Sequence, residues 1–141
     1  MSRISTYLNF PRNTEEVFNF YKTVFGTEFS GEGIARMGDF SNPQLVDEDK
    51  NLIMHIELPI TGGHVLMGTD TPESMGFSVN VGNNIHIMLE PDTREETKQL
   101  FDKLSEGGSV EMDLQDAFWG AYYGNCTDKF GIQWMFNCNA K

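Results

Sequence analysis

Two segments of the chain, residues 13–26 and 93–107, carry the same sequence signals for a helix. Each begins with a residue that caps helices, has a glutamate three positions later and ends at a glycine. Between these signals the apolar residues recur at helical spacing. The cap, glutamate and glycine are Asn13, Glu16 and Gly26 in the first segment, and Thr93, Glu96 and Gly107 in the second. The chain is therefore predicted to contain two equivalent helices.

Each predicted helix is preceded by one strand-like segment and followed by three, because β-branched and aromatic residues are concentrated there. The strand-like segments are 6–10, 28–36, 52–58 and 64–69 in the first half, and 85–90, 109–112, 120–127 and 132–137 in the second. The order βαβββ therefore occurs twice. It predicts an α+β fold in which two modules each roll their strands around one helix. The two half-barrel sheets would form a concave cavity, where small-molecule sites are usually found.

The two predicted modules are joined by a stretch without periodicity that is rich in proline, glycine and asparagine, as connecting segments usually are. A chain of 141 residues is long enough to build one domain with a substantial core. We therefore predict a single domain over residues 1–141. Its parts are module one at 1–70, a connector at 71–84 and module two at 85–141.

Successive side chains of a strand point to opposite faces, so alternation sorts each predicted strand into two sets. The apolar sets, expected beneath the helices, are Leu52, Met54, Ile56 and Leu58; Ile85, Ile87 and Leu89; and Ile132, Trp134 and Phe136. The opposite sets, expected on the concave side, are Ile53, His55 and Glu57; His86, Met88 and Glu90; and Gln133, Met135 and Asn137. The concave side therefore repeatedly carries a histidine, a methionine or an amide.

The charge balance excludes one class of partner. With 10 Lys and Arg against 21 Asp and Glu, the net charge is −11, and such a field repels the phosphate backbone of nucleic acids. The sequence also lacks an apolar stretch long enough to span a membrane, and its N-terminus lacks the pattern of a secretion signal. We therefore expect a soluble, cytoplasmic protein with no nucleic-acid or membrane partner.

Two cysteines, Cys126 and Cys138, lie in or next to the last two predicted strands. A hairpin that turns at residues 128–131 would pair position 126 with about 133 and position 138 with about 121. That offset of roughly five residues is about 17 Å along a strand, whereas a disulfide needs Cα atoms within about 7 Å. Both cysteines are therefore expected to be free thiols.

Three stretches of the chain resemble a known family: FWGAYYGNCTDKFGIQWMFN at 118–137, NTEEVFNFYKTVFG at 13–26 and HVLMGTDTP at 64–72. They are similar to the PhnB-like branch of the glyoxalase, bleomycin-resistance protein and dioxygenase family, the vicinal oxygen chelate superfamily. The resemblance covers essentially the whole chain. It implies paired modules, usually in a homodimer. In the enzymes it also implies a divalent metal held by four side chains, from the first and last strands of each module.

Carried over to this sequence, the four metal positions do not hold the usual ligands. One falls within residues 5–7, where there is no histidine or carboxylate, and the others fall on Met67, His86 and Met135. A methionine thioether is a poor donor for divalent ions that prefer oxygen or imidazole. We therefore expect no metal ion and no other cofactor, so the metal-dependent reactions of the superfamily lose their anchor.

Two histidines admit more than one interpretation. His86 is either a polar anchor or general base for a ligand, or a hydrogen-bonded strand residue without chemistry. His55 and Glu57 share a strand face about 7 Å apart, which suits a base and its orienting partner but also an ordinary solvated strand. No catalytic residue is assigned. No glycine-rich nucleotide loop supports the 3-demethylubiquinone methyltransferase activity sometimes attributed to this branch.

The interpretation we favour is a metal-free homodimer that binds an apolar or aromatic small molecule in its cavity, where methionines adapt to irregular shapes. One alternative is a metal-dependent lyase, isomerase or dioxygenase of the same superfamily. Another is a dimeric structural protein whose cavity is filled by its own side chains. The predicted ligand-pocket residues are Tyr7, His55, Met67, His86, Met88, Trp119, Tyr122, Gln133, Met135 and Asn137.

Overall fold

The computed structural model describes residues 2–141, which form two compact units divided between Asn80 and Val81. The first unit has β1 (Thr6–Phe10), α1 (Thr14–Phe25), β2 (Ala35–Arg36), β3 (Ile53–Pro59) and β4 (Val65–Asp70). The second has β5 (Ile87–Leu89), α2 (Arg94–Ser105), β6 (Ser109–Asp116), β7 (Tyr122–Thr127) and β8 (Gln133–Cys138). The predicted βαβββ order is confirmed in both units, and the fold class is α+β.

Each unit has one four-stranded sheet, and the two sheets have equivalent topology, with strand orders β1-β4-β3-β2 and β5-β8-β7-β6. The first strand of each unit lies parallel to the last, and the other pairings are antiparallel. Helix α1 packs on β3 and β4, and α2 packs chiefly on β7 and β8. Among the residues that the structure describes, no helix is long and apolar enough to cross a membrane. Each sheet thus has one face covered by its helix and an opposite face, called the open face below.

The two units fill the space beneath their helices in different ways. In β8, Trp134 and Phe136 are fully buried, and the Phe136 ring meets Phe101 of α2 edge-on, with 5.3 Å between ring centroids. In β4, Gly68 occupies the position equivalent to Phe136. A Cβ atom there would lie 2.5 Å from the ring of Phe18 in α1. In the second unit the strand contributes the aromatic ring that fills this space, Phe136. In the first unit the strand has a glycine at that position, and the ring of Phe18 in the helix fills the space.

Three predicted strands have clearly different lengths in the structure. The segment 85–90 contributes only Ile87–Leu89, and Ile85, which was predicted to lie beneath the helix, precedes the strand and is 75% exposed. The segment 28–36 contributes only the two residues of β2. Gly31 and Gly33, which precede it, have φ angles of 67° and 78°, and these interrupt an extended backbone. The strand predicted at 109–112 continues to Asp116 and pairs with β7 through two register irregularities. Such bulges let an edge strand continue past a local mismatch.

The alternation predicted for β3 is wrong at its start. It predicts Met54 beneath the helix and Ile53 on the open face, but Met54 is 41% exposed and Ile53 is 1% exposed. The buried residues Ile53 and Ile56 are three positions apart instead of two, which is the spacing expected where a bulge adds one residue to a strand. The pairing of β3 with β2 shifts its register at the same place. Beyond it, Ile56 and Leu58 are buried as predicted.

The two helices begin with different caps. At α2 the predicted cap is confirmed, because the Thr93 hydroxyl accepts the backbone N–H of Glu96 at 3.0 Å. At α1, Asn13 occupies the N-cap position as predicted, but its side chain makes no capping hydrogen bond. The buried carboxylate of Asp70, at the end of β4, instead accepts the backbone N–H of Thr14 at 3.0 Å. A residue distant in the sequence therefore caps α1.

Both cysteines are free and buried, in agreement with the sequence-based prediction. In the β7–β8 hairpin, Cys126 lies opposite Trp134, and Cys138 lies opposite Tyr122. The two thiols are thus held apart along the hairpin, as the predicted offset requires.

Candidate functional site

Three side chains form a row across the open face of each sheet, at positions that strand pairing makes equivalent. The rows are Tyr7, Met67 and Glu57 in the first unit, from β1, β4 and β3, and Met88, Met135 and Asn125 in the second, from β5, β8 and β7. Residues opposite one another on neighbouring strands are close enough for their side chains to interact. A methionine therefore occupies the centre of each open face, and four of the predicted pocket residues belong to the rows.

His55 joins two members of the first row into a chain of hydrogen bonds. The Tyr7 hydroxyl lies 3.0 Å from His55 Nδ1, and His55 Nε2 lies 3.1 Å from a carboxylate oxygen of Glu57. An ionised carboxylate only accepts hydrogen bonds, so the network places the imidazole proton on Nε2 and lets Nδ1 accept from the phenol. These three residues, Tyr7, His55 and Glu57, are called the triad below.

The triad becomes more buried from its phenol to its carboxylate. Tyr7 is 45% exposed, whereas the side chains of His55 and Glu57 are 37% and 20% exposed. The second carboxylate oxygen accepts the Ser30 hydroxyl at 3.5 Å, and a Cβ at Gly31 would lie 2.9 Å from it. Burial, followed by the charge of Glu57, raises the pKa of Tyr7 above its ordinary value of 10.0. The phenol therefore keeps its proton at neutral pH.

The open face of the second unit carries an aromatic pair beside its methionines, the exposed Trp119 and the half-buried Tyr123. The indole N–H of Trp119 donates to the side-chain oxygen of Asn137 at 3.2 Å. Its ring meets that of Tyr123 with 5.3 Å between centroids and 70° between planes. Trp119 is 52% exposed and Met88 is 50% exposed. This face combines apolar surface with a few amide groups, the composition that small-molecule sites usually have.

Two other predicted pocket residues lie at the edge of this face. The Gln133 amide donates to the carbonyl of Ile85 at 2.8 Å, which ties the start of β8 to the segment before β5. His86 precedes β5 and is half-buried. The residue of β5 that lies opposite Met135 is Met88. His86 therefore does not face the central methionine directly.

Tyr122 lies on the face opposite to the one that the sequence predicts. In the structure it is paired with the buried Cys138, and the guanidinium of Arg94 in α2 lies 4.1 Å from the centre of its ring. The hairpin pairs residue 126 with 134 rather than with 133, and a slip of one residue exchanges the two faces of a strand. Tyr123, which lies opposite Asn137, therefore takes the place on the open face that was predicted for Tyr122.

Three members of the two rows and the aromatic pair are missing from the predicted pocket. Tyr123 and Asn125 are linked by a hydrogen bond of 3.3 Å from the amide to the phenol oxygen. The alternation of β7 would find both, provided that it is counted from the correct hairpin register. The third is Glu57. Strand alternation places Glu57 on the same face as His55, but it cannot reveal the link to Tyr7, because Tyr7 and His55 are 48 positions apart in the sequence.

The open-face rows do not fit a divalent metal ion. Their central positions offer thioethers, and the flanking positions offer a phenol, an amide, a further thioether and the single carboxylate of Glu57. Hard and borderline divalent ions require several oxygen or imidazole donors around one point. Within residues 2–141, no three His, Cys, Asp or Glu side chains are grouped so that they could hold a metal ion. The metal centre that the resemblance implies therefore has no matching donor set.

Two equivalent βαβββ modules, each with a row of side chains across an open sheet face, define the glyoxalase-like class of α+β proteins. The model of the Glyoxalase/Bleomycin resistance protein/Dioxygenase superfamily matches residues 3–136, so the chain belongs to this superfamily. The predicted family is confirmed.

Several known proteins are similar to this chain over nearly its whole length. Protein PA1353 from Pseudomonas aeruginosa is 34% identical, with a TM-score of 0.85 and 100% of both chains covered. Protein YjdN from Escherichia coli (strain K12) is 28% identical over an alignment of 141 positions, which covers 95% of this chain and 93% of that protein. A PhnB protein from Bacillus cereus is 23% identical, with a TM-score of 0.77 over 97% of this chain and 99% of that one, and it shows the shared fold.

Proposed function

We propose that this protein binds a small apolar or aromatic molecule on its open sheet faces, without a metal ion. The observation that carries the proposal is the exposed surface of Trp119 and Met88 on the same sheet face as the half-buried Met135. Single exposed apolar residues are common on proteins, but these share one face with amide groups that can orient a ligand. Methionine adapts its shape to different partners, so this surface suits ligands of irregular shape.

The indole of Trp119 is expected to supply much of the affinity. A tryptophan buries about 150–250 Å² when it is fully covered. Because Trp119 is 52% exposed, a ligand on its ring would remove roughly 100 Å² from water, which is worth about 2.5 kcal/mol at about 25 cal/mol per Å². That contribution corresponds to somewhat less than a hundredfold in affinity. The hydrogen bond to Asn137 holds the ring in place before the ligand arrives.

Tryptophan fluorescence tests binding, because Trp134 is fully buried and the signal of Trp119 alone is accessible to a ligand. In a library of small aromatic and aliphatic compounds, some should change the fluorescence and raise the Tm. Trp119→Phe should weaken the binding of those compounds by at least about tenfold, measured by thermal shift. Phe40→Leu is the matched control, since Phe40 is an aromatic residue of the first unit that is 51% exposed and belongs to neither row. A library without any stabilising compound would contradict the proposal.

Metal analysis of the purified protein tests the metal-free part of the proposal, which the thioether at Met135 supports. We expect no stoichiometric nickel, zinc, manganese or iron in the native protein. Met135→Glu provides the control, because it adds a carboxylate at the centre of the second open face and can only increase metal retention. Stoichiometric metal in the native protein would overturn this part.

A further inference from the structure

The binding of an apolar molecule makes no use of the triad on the open face of the first unit. Its hydrogen bonds nevertheless have a defined direction. The Glu57 carboxylate orients His55 so that Nδ1 accepts the proton of Tyr7. The same arrangement, in which a carboxylate orients an imidazole that accepts a hydroxyl proton, prepares side chains for proton transfer in many enzymes.

The direction of these bonds decides what Tyr7 offers to a ligand. Its own proton points inward to His55, so the phenol oxygen presents only lone pairs outward, on a side chain that is 45% exposed. A ligand group that meets this oxygen must therefore donate a hydrogen bond. A ligand hydroxyl satisfies that requirement, whereas a carbonyl oxygen does not.

We propose that the triad accepts a proton from an acidic hydroxyl of a phenol-type or enol-type molecule and so binds that molecule as its anion. The ligand O–H bond breaks as its proton passes to the Tyr7 oxygen, while the original Tyr7 O–H bond breaks and its proton passes to His55 Nδ1. The products are the ligand anion, a neutral Tyr7 and an imidazolium paired with Glu57. No electrons change hands, and no further reactant is required. The proposal rests on the proposed function, because the ligand must first bind on an open face.

The charge of the protein opposes the binding of an anion, and two features of the triad offset this effect. The net charge of −11 opposes the binding of an anion unless a positive charge appears beside it. Protonation of His55 supplies that charge, and the carboxylate 3.1 Å away stabilises it. The phenol is neutral before and after the transfer, in keeping with its raised pKa, which burial and then the charge of Glu57 cause. The ligand anion then accepts a hydrogen bond from Tyr7.

The binding of 4-nitrophenol tests the proposal, because its neutral and ionised forms absorb at different wavelengths. Native protein is titrated with the probe at a pH where the free probe is mostly neutral, and the spectrum of the bound probe is recorded. We expect the spectrum of the ionised form. His55→Gln keeps a polar side chain but cannot accept the proton, so the bound probe should remain neutral and bind about tenfold or more weakly. Tyr7→Phe and Glu57→Gln should shift the spectrum in the same direction.

His64→Gln is the matched control. This histidine of the same unit is hydrogen-bonded at 2.9 Å to Thr6, whose side chain points away from the face that carries Tyr7. The variant should bind and ionise the probe as the native protein does. Circular dichroism of every variant confirms that it is folded, so that a lost signal reports on the triad.

The outcomes separate this inference from the proposed function. A probe that binds to the native protein in its neutral form would overturn the inference and leave the binding function standing. The same conclusion holds if His55→Gln ionises the probe as well as native protein does, or if library compounds bind but 4-nitrophenol does not. If no compound of the library binds, the proposed function fails and the inference fails with it.

Discussion

The buried carboxylate of Asp70 is predicted to be the most sensitive single group of the first unit. It is 3% exposed, and its two oxygens accept the backbone N–H of Thr14 at 3.0 Å and that of Ile53 at 2.7 Å. One bond caps α1, and the other holds the start of β3. Replacing Asp70 by alanine removes both acceptors at once.

The size of the effect follows from the two bonds. A buried backbone N–H left without an acceptor costs about 1–3 kcal/mol, so Asp70→Ala should lower the free energy of unfolding by about 2–6 kcal/mol. Thr93→Ala is the comparison in the second unit, because it removes one cap bond at an exposed position. Loss of such a cap costs about 0.5–2 kcal/mol. Asp70→Asn keeps one acceptor oxygen and should lie between the two.

Urea unfolding followed by far-ultraviolet circular dichroism measures these differences, with linear extrapolation to water. Circular dichroism is preferable to fluorescence here, because both tryptophans, Trp119 and Trp134, belong to the second unit. If Asp70→Ala destabilised the protein no more than Thr93→Ala does, the reasoning that a distant carboxylate caps α1 and anchors β3 would be refuted.

Buried or constrained groups elsewhere predict three further effects. Burial, and then nearby carboxylates, raise the pKa of Cys126 to about 12. The thiol is therefore protonated at about pH 8, and a thiol reagent should label Cys126 only after the protein unfolds. A hydrogen bond from Ser74 holds the pKa of Asp49 below its ordinary value of 3.8. The stability that this hydrogen bond contributes is present above pH 3.8 and is lost as the pH falls through the pKa of Asp49 in the folded protein. The loss of unfolding free energy caused by Ser74→Ala should therefore become smaller in acid. If urea titrations gave the same loss at every pH, this prediction would be wrong. Gly31→Ala should lower the Tm more than Gly33→Ala, since both residues have positive φ but only the Cβ at 31 would meet the triad carboxylate, at 2.9 Å; equal shifts would show that this contact is harmless.

The order of elements and the assignment of most core residues could be predicted from the sequence. Helix signals and strand alternation are local, so Thr93 was identified as a cap and Trp134 and Phe136 as core without any knowledge of the fold. The predictions failed where a single residue changes the phase of a strand. At the start of β3 a bulge-like shift puts Ile53 and Met54 on the opposite faces to those predicted, because one added residue inverts the alternation of a strand.

The composition of the candidate site could be predicted better than its connections. Methionines and amides on the open faces follow from alternation, and the thioether at Met135 follows from counting back to the hairpin turn. The exchange of Tyr122 for Tyr123 has one cause, a hairpin register that differs by one residue from the predicted one. Turn geometry sets this register, and the alternation within each strand does not fix it.

The sequence by itself determined that this protein is a duplicated βαβββ chain of the glyoxalase superfamily with a methionine, Met67 or Met135, in the last strand of each module, since those properties depend on residue type and local spacing. Only the tertiary structure decided that Asp70 caps a helix 56 positions away and that Tyr7, His55 and Glu57 form one chain of hydrogen bonds. The physical reason is the order of strands in the sheet. Placing β4 between β1 and β3 brings side chains from distant segments to one face, and neither periodicity nor capping signals carry that information.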